Sequence, residues 1–366
     1  MRHRARPNDE EAAKYTPTSH PHIFIPLRPR FVVRDVVFND AHMCVSLENS
    51  NIVSAFHSKT GKLMTNLQGH TQPVTCLDLI ENVCVTGSKD TNINIYFAEC
   101  DHSNVDQLAT SLPVPLPDIK PKVVTGHTGE VTCVKMIDNG SVVSGSTDTT
   151  VRLGKENNKG QFISTPLENG HSETVTVLRA DNKFVVSGSS DMTVRIWETR
   201  SEKQKYVLTG HKAAVKDIAL DSKNMRLITG DQNNIVKIWD LRDGSLQHTL
   251  TGQMSFKLDE MGNELACVGS NGCLFIWDCG SAELLKIISH EELLQTGGQV
   301  LSTSDKTTIT ASDTGICIWS TDTGDLLGKV ATGATEMWVG KTFGKTIVSA
   351  CQYEESAGVE AHFLDQ

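Results

Sequence analysis

The stretch Gly170-His171-Ser172-Glu173-Thr174-Val175, continued by Val185-Val186-Ser187-Gly188-Ser189-Ser190-Asp191 and closed by Met192-Thr193-Val194-Arg195-Ile196-Trp197, decides the fold. Val194 and Ile196 fall on one side of an extended chain and Arg195 on the other, the alternation of a half-buried strand. A second strand precedes it and ends in Ser-Gly-Ser, with Asp191 at the turn between the two. The closing strand returns as Asn234-Ile235-Val236-Lys237-Ile238-Trp239.

The whole unit recurs. Gly-His dyads stand at Gly69-His70, Gly126-His127, Gly170-His171 and Gly210-His211, with a degenerate copy at Gly252-Gln253. Trp197, Trp239, Trp277 and Trp319 close their strands, and Phe56, Tyr96, Gly154 and Phe363 hold the equivalent place in weaker copies. The steps between positions 56, 96, 154, 197, 239, 277, 319 and 363 are 40, 58, 43, 42, 38, 42 and 44 residues. After each closing residue comes a glycine turn and an apolar strand, as in Thr60-Gly61-Lys62-Leu63 and Thr323-Gly324-Asp325-Leu326. Four short strands in a period near forty residues make one blade of a β-propeller. Eight copies predict eight blades, with seven the alternative if the first or last copy is incomplete.

Residues 1–21, opening Met1-Arg2-His3-Arg4-Ala5-Arg6, are expected to be a disordered tail, and residues 22–366 the propeller. The last copy lacks a fourth strand of its own. His22-Ile23-Phe24-Ile25-Pro26 is expected to supply it, closing the ring and leaving that blade no free edge. The long step between copies two and three holds Pro113, Pro115, Pro117 and Pro121. These favour extended backbone: either a loop on the blade's outer edge or a docking segment.

Composition narrows the function. A formal net charge of −10 over 366 residues argues against general binding to a nucleic-acid backbone. The ten cysteines include no C-x-x-C pair, and Cys76, Cys84, Cys133, Cys273, Cys317 and Cys351 sit in apolar runs where a thiol acts as a small hydrophobe. No signal-peptide core and no membrane-length apolar run is visible, so a soluble protein of the cytoplasm, the nucleus or both is expected. Neither metal-ligand spacing nor a phosphate-cradling glycine loop is found, so no cofactor, metal or small-molecule substrate is expected.

One pattern invites a catalytic reading. His171, Ser187 and Asp191 stand together in copy four with Trp197. His70, Thr86 and Asp90 do so in copy two, and His127, Ser144 and Asp148 in copy three. A nucleophile, base and acid would be needed once, in a cleft. Recurrence at repeat spacing points to structure.

The repeated Gly-His … Ser-Gly-Ser-x-Asp … Trp-Asp pattern resembles the WD-repeat proteins over residues 22–366. The resemblance implies a binding platform rather than an enzyme, with His, Ser or Thr, Asp and Trp joined in a buried hydrogen-bonded chain. Carried over residue by residue, that network also includes His211, Thr229 and Trp239 in copy five, and Trp277 and Trp319 in copies six and seven. Copies five and six depart from it at Asn233, Cys267 and Asn271 and are expected to be looser. Within the group, the eight-copy layout is similar to the propellers of F-box/WD-repeat ubiquitin-ligase substrate receptors, although no F-box-like segment is present. Phosphopeptide-binding members of that subfamily carry arginines where this sequence has Thr132, Thr147 and Thr176, with Ser190 nearby, and cations at the compared places are Lys89 and Lys216. With Trp338 of the last copy, these seven residues are the expected partner-binding surface. The function expected is a scaffold or adaptor for proteins or peptides, with ubiquitin-ligase subunits among the candidate partners. The alternatives are a histone-tail or RNA-associated subunit and, last, a propeller enzyme.

Overall fold

The computed structural model describes residues 22–27, 32–97, 119–137, 140–258, 263–269, 272–289, 299–303, 306–312, 315–330, 336–343, 346–352 and 357–363. The tail at 1–21, most of the proline-rich insertion, and Asn271 lie outside them. Among the described residues all the regular elements are strands, arranged as eight four-stranded sheets.

The repeat predicts these sheets one by one. Blade one is Val33–Phe38, His42–Leu47, Val53–His57 and Leu63–Leu67. Blade two is Val74–Ile80, Val83–Ser88, Ile93–Phe97 and Lys122–Val124. Blade three is Val131–Met136, Val142–Ser146, Val151–Glu156 and Phe162–Pro166, and blade four Val175–Ala180, Phe184–Ser189, Val194–Glu198 and Gln204–Leu208. Blade five is Val215–Asp221, Arg226–Asp231, Ile235–Asp240 and Leu246–Thr251. Blade six is Gln253–Leu258, Glu264–Gly269, Leu274–Asp278 and Leu284–Ile288, and blade seven Gln299–Thr303, Thr307–Ser312, Gly315–Ser320 and Leu326–Val330. Blade eight takes Glu336–Phe343, Thr346–Gln352 and Ala357–Phe363 from the C-terminal end and His22–Leu27 from the N-terminal end. Eight blades, not seven, are therefore present.

The N-terminal strand runs antiparallel to Ala357–Phe363, with Ile25 opposite Val359 and Phe24 opposite Glu360. Ile25 is buried, and Pro26 falls where an outermost strand tolerates a missing N–H.

The chain forms two compact units, Val32–Ile218 and Met1–Phe31 with Ala219–Gln366. In the first, neighbouring blades share their cores. Val53 and Leu67 of blade one pack with Leu77 and Tyr96 of blade two, and Ile95 and Val124 of blade two with Val131 and Val134 of blade three. Leu153 of blade three packs with Val175, Leu178 and Trp197 of blade four. In the second unit, Ile238 and Leu250 pack with Phe256 and Leu265, Ile276 with Val300 and Trp319, and Ile318 with Ile347.

The Ser-Gly-Ser glycine is a packing requirement in the first unit. A Cβ on Gly87, Gly145 or Gly188 would lie 2.6, 2.5 and 2.6 Å from a methyl of Val131, Val175 and Val215 respectively, the first core residue of the following blade. The missing side chain lets each second strand approach its neighbour. The weak copy at Gly154 has its own explanation: the nearest side chains to that bare position are Val124 at 3.4 Å and Phe162 at 3.9 Å, so neighbours occupy the aromatic's place.

Gly188→Ala is expected to lower stability by about 1–3 kcal/mol through overpacking against Val177 and Val215. Urea denaturation measures it, and an unchanged midpoint would show that blade four can yield at no cost.

Candidate functional site

Three blades carry the same buried chain of side chains. In blade two, His70 Nδ1 lies 2.9 Å from Asp90 Oδ2 and Nε2 lies 2.7 Å from the Thr86 hydroxyl. In blade three, His127 lies 2.8 Å from both Asp148 and Ser144; in blade four, His171 lies 2.9 Å from Asp191 and 2.7 Å from Ser187. Each carboxylate also accepts the amide that follows its histidine, at Thr71, Thr128 and Ser172, and the amide two residues beyond itself, at Asn92, Thr150 and Thr193. One aspartate thus ties the Gly-His loop and its own turn together.

Burial sets the protonation. It lowers the pKa of His70, His127 and His171 below 6.5 and outweighs the aspartates, which pull the other way. Burial alone would raise the Asp148 and Asp191 carboxyls, but hydrogen bonds from Thr150 and Thr193, the loop amides and the histidines overcome it and hold both at about 2. A neutral imidazole then donates Nδ1–H to the carboxylate and accepts the hydroxyl proton at Nε2.

This connectivity is that of a nucleophilic triad. Access is what it lacks: Thr86, Ser144 and Ser187 are 0%, 1% and 0% exposed, so no substrate reaches the hydroxyls.

The tryptophans divide into three arrangements. Trp239 and Trp319 donate their indole N–H to the Thr229 and Thr310 hydroxyls, each at 2.8 Å. Trp197 stands beside its chain rather than in it: its N–H goes 2.9 Å to the Glu168 carbonyl, and its ring meets His171 edge-on at 6.5 Å between centroids. Trp277 has a buried N–H with no acceptor among the described residues, because Cys267 holds the register position of Thr229 and Thr310. In blade five, Asp231 Oδ1 accepts the amides of Asn233 and Ile235, so an aspartate two places earlier holds the turn that Asn233 cannot.

The residues expected on the partner-binding surface take two positions. Lys89, Thr147 and Ser190 open the turn after the second strand, where their amides bond the carbonyls of Pro73, Glu130 and Thr174. Lys89 and Thr147 are exposed. Thr132 and Thr176 are the bulged second residues of their first strands. Each hydroxyl faces two carbonyls, one in its own blade and one in the next: Gly145 and Val175 for Thr132, Gly188 and Val215 for Thr176. Thr75 does the same with Gly87 and Val131. These threonines stitch blade to blade. Lys216 is the exposed second residue of its strand, and Trp338 holds the bulge of blade eight, its side chain outside the described residues.

Sequence reading missed Arg34. It is the bulged residue of blade one, exposed, with Nε held 3.1 Å from the Thr75 carbonyl. Blade one has no Gly-His landmark, but Val33-Arg34-Asp35 repeats the spacing of Val131-Thr132-Cys133. Asp78 also joins Lys135 at 2.5 Å and the Met136 amide at 2.7 Å, linking blades two and three. Among the described residues no cluster of three or more His, Cys, Asp or Glu could hold a metal, and no helix is long and apolar enough to cross a membrane.

The WD domain, G-beta repeat family model matches residues 61–96, 120–153, 160–198 and 202–240. Over 134 residues the chain is 33% identical to cell division control protein 4 of Saccharomyces cerevisiae, covering 36% of this chain and 15% of that protein. Over 91 residues it is 31% identical to mitochondrial division protein 1 of Schizosaccharomyces pombe, covering 24% and 14%. The matched stretches are thus a small part of either relative. The crystal structure of the computationally designed Ika8 protein superposes with a TM-score of 0.72 over 92% of this chain and 98% of that one, at 22% identity, a likeness of fold alone.

Two outcomes follow from the buried chains. The unfolded protein protonates its histidines near pH 6.5, whereas the folded one resists, so stability is full above that pH and is lost as pH falls. The depressed aspartates add a second loss below their ordinary value of 3.8. The urea midpoint should therefore fall from pH 7 to pH 5; a rising midpoint would contradict neutral histidines. Separately, Cys267→Thr should give the Trp277 N–H an acceptor and stabilise by about 1 kcal/mol. A lower midpoint in this variant would show that the orphaned indole is not the weak point of blade six.

Proposed function

We propose that this chain, an all-β WD40 β-propeller of eight blades, is a protein-interaction scaffold whose blade-end turns and bulges in Val32–Ile218 receive partner proteins. One observation carries the reading. In blades two to four the groups able to do chemistry are sealed in the His–Asp chains, while cations remain exposed where the strands begin and turn: Arg34, Lys89 and Lys216. The partner segment they suit is acidic, attracted to these side chains against an overall charge of −10. A rigid frame favours binding because little loop freedom is lost on association.

The finer proposal is that the partner is a substrate delivered to a ubiquitin ligase whose other subunits are separate chains; the eight-copy repeat layout supports it. Action in the cytoplasm or nucleus is part of the same proposal, supported by nine described cysteines, all free thiols.

The test is affinity purification from native cells of the wild-type chain and of a combined Arg34→Glu, Lys89→Glu, Lys216→Glu variant. The expected result is a stoichiometric partner that the variant loses at an unchanged urea midpoint. Recovery of ligase subunits would support the finer reading, and their absence would leave the scaffold alone. A wild-type chain that recovers no partner would overturn both.

A further inference from the structure

In blades two to six the turn after the second strand places the residue three beyond that strand's end at positive φ. Blades five and six fill it with Asn234 (59°) and Gly272 (73°), residues that adopt the left-handed region readily. Blades two, three and four do not. They place Thr91 at 71°, Thr149 at 71° and Met192 at 64°. Positive φ is a true outlier for a β-branched side chain, and these two threonines are the only β-branched residues among the described residues with positive φ; Glu81, Glu202, Met225 and Ala282, at other turns, are unbranched.

No contact among the described residues explains the choice. The Thr91 and Thr149 hydroxyls make no hydrogen bond among the described residues, and Met192 is 45% exposed. What the molecule does supply is restraint. Each of the three residues donates its amide to a serine carbonyl, Ser88, Ser146 or Ser189, at 3.2–3.3 Å. The amide that follows is gripped by Asp90, Asp148 or Asp191 at 2.9–3.0 Å. The two strained threonine turns and the Met192 turn therefore coincide with the three complete His–Asp chains. Strain of this kind persists only where the surroundings over-determine it, and it concentrates where a side chain is needed for contact with something else.

We infer that Thr91, Thr149 and Met192 are contact residues for the partner protein, one from each of three consecutive blades, and that the His70, His127 and His171 chains hold them in place. The inference rests on the scaffold reading above and gives it a contact row. The row suits an extended protein segment: Lys89, two residues before Thr91, meets an acidic side chain, and the adaptable thioether of Met192 meets an apolar one.

The experiment compares the wild-type chain with a combined Thr91→Asn, Thr149→Asn, Met192→Asn variant, and with Ala282→Asn as a control that relieves strain at a turn between a third and a fourth strand. Asparagine tolerates the left-handed region, so the triple variant should melt at a higher temperature, by roughly 2–4 °C. Proteins that co-purify with the wild-type chain from cells serve as the probe, each then purified and titrated. The triple variant should bind the partner at least about tenfold more weakly, and the control at wild-type strength. A triple variant that melts higher yet binds as well as the wild type would overturn the contact row and leave the scaffold reading standing. A triple variant that melts no higher would overturn the strain on which the row is based. A wild-type chain that captures no partner would overturn the contact row and the scaffold reading together.

Discussion

The hydrogen bond from a buried histidine to a buried aspartate is the interaction on which blades two to four depend. It joins two segments about twenty residues apart, His70 to Asp90, His127 to Asp148 and His171 to Asp191. Its cost is the burial of a carboxylate, which is tolerable only because amides and hydroxyls satisfy the remaining lone pairs. Those same donors fix the turn, and the turn fixes the side chains that leave it. Packing, protonation and the presentation of surface residues thus follow from one arrangement, used three times.

A second constraint acts between blades. In blades two to four a bare glycine on the second strand admits the valine that begins the next blade, and a bulged threonine bonds a carbonyl across the same contact. The bulge matters because its extra residue sets the hydroxyl between a carbonyl of its own blade and one of the next. Replacing the threonine changes the use of the position: Arg34 keeps one donor on the neighbouring blade and exposes the rest of its guanidinium. In the second unit Gly230 of blade five admits the Phe256 ring of blade six in the same way, and Leu301 of blade seven lies against Gly340 of blade eight.

Most of this fold is legible in the sequence because the repeat states it many times over. Eight blades follow from eight spaced closings, and the N-terminal outer strand follows from a last copy one strand short. The site was less legible. Thr132 and Thr176 read as surface positions because a threonine on a strand says nothing of the bulge beneath it. Arg34 was hidden by the missing Gly-His. Trp197 read as the fourth member of its chain, yet the Glu168 carbonyl competes successfully for its N–H. Backbone strain at Thr91 and Thr149 has no counterpart in composition or spacing; only the dihedral angle shows it.

Neutral, oriented histidines are what the three chains require, and nitrogen-15 NMR of the imidazole rings reads both properties at once. His70, His127 and His171 should each carry a single proton, on Nδ1, at pH 7, and should keep that tautomer below pH 6.5. Rings that titrate near 6.5, or that carry the proton on Nε2, would contradict it.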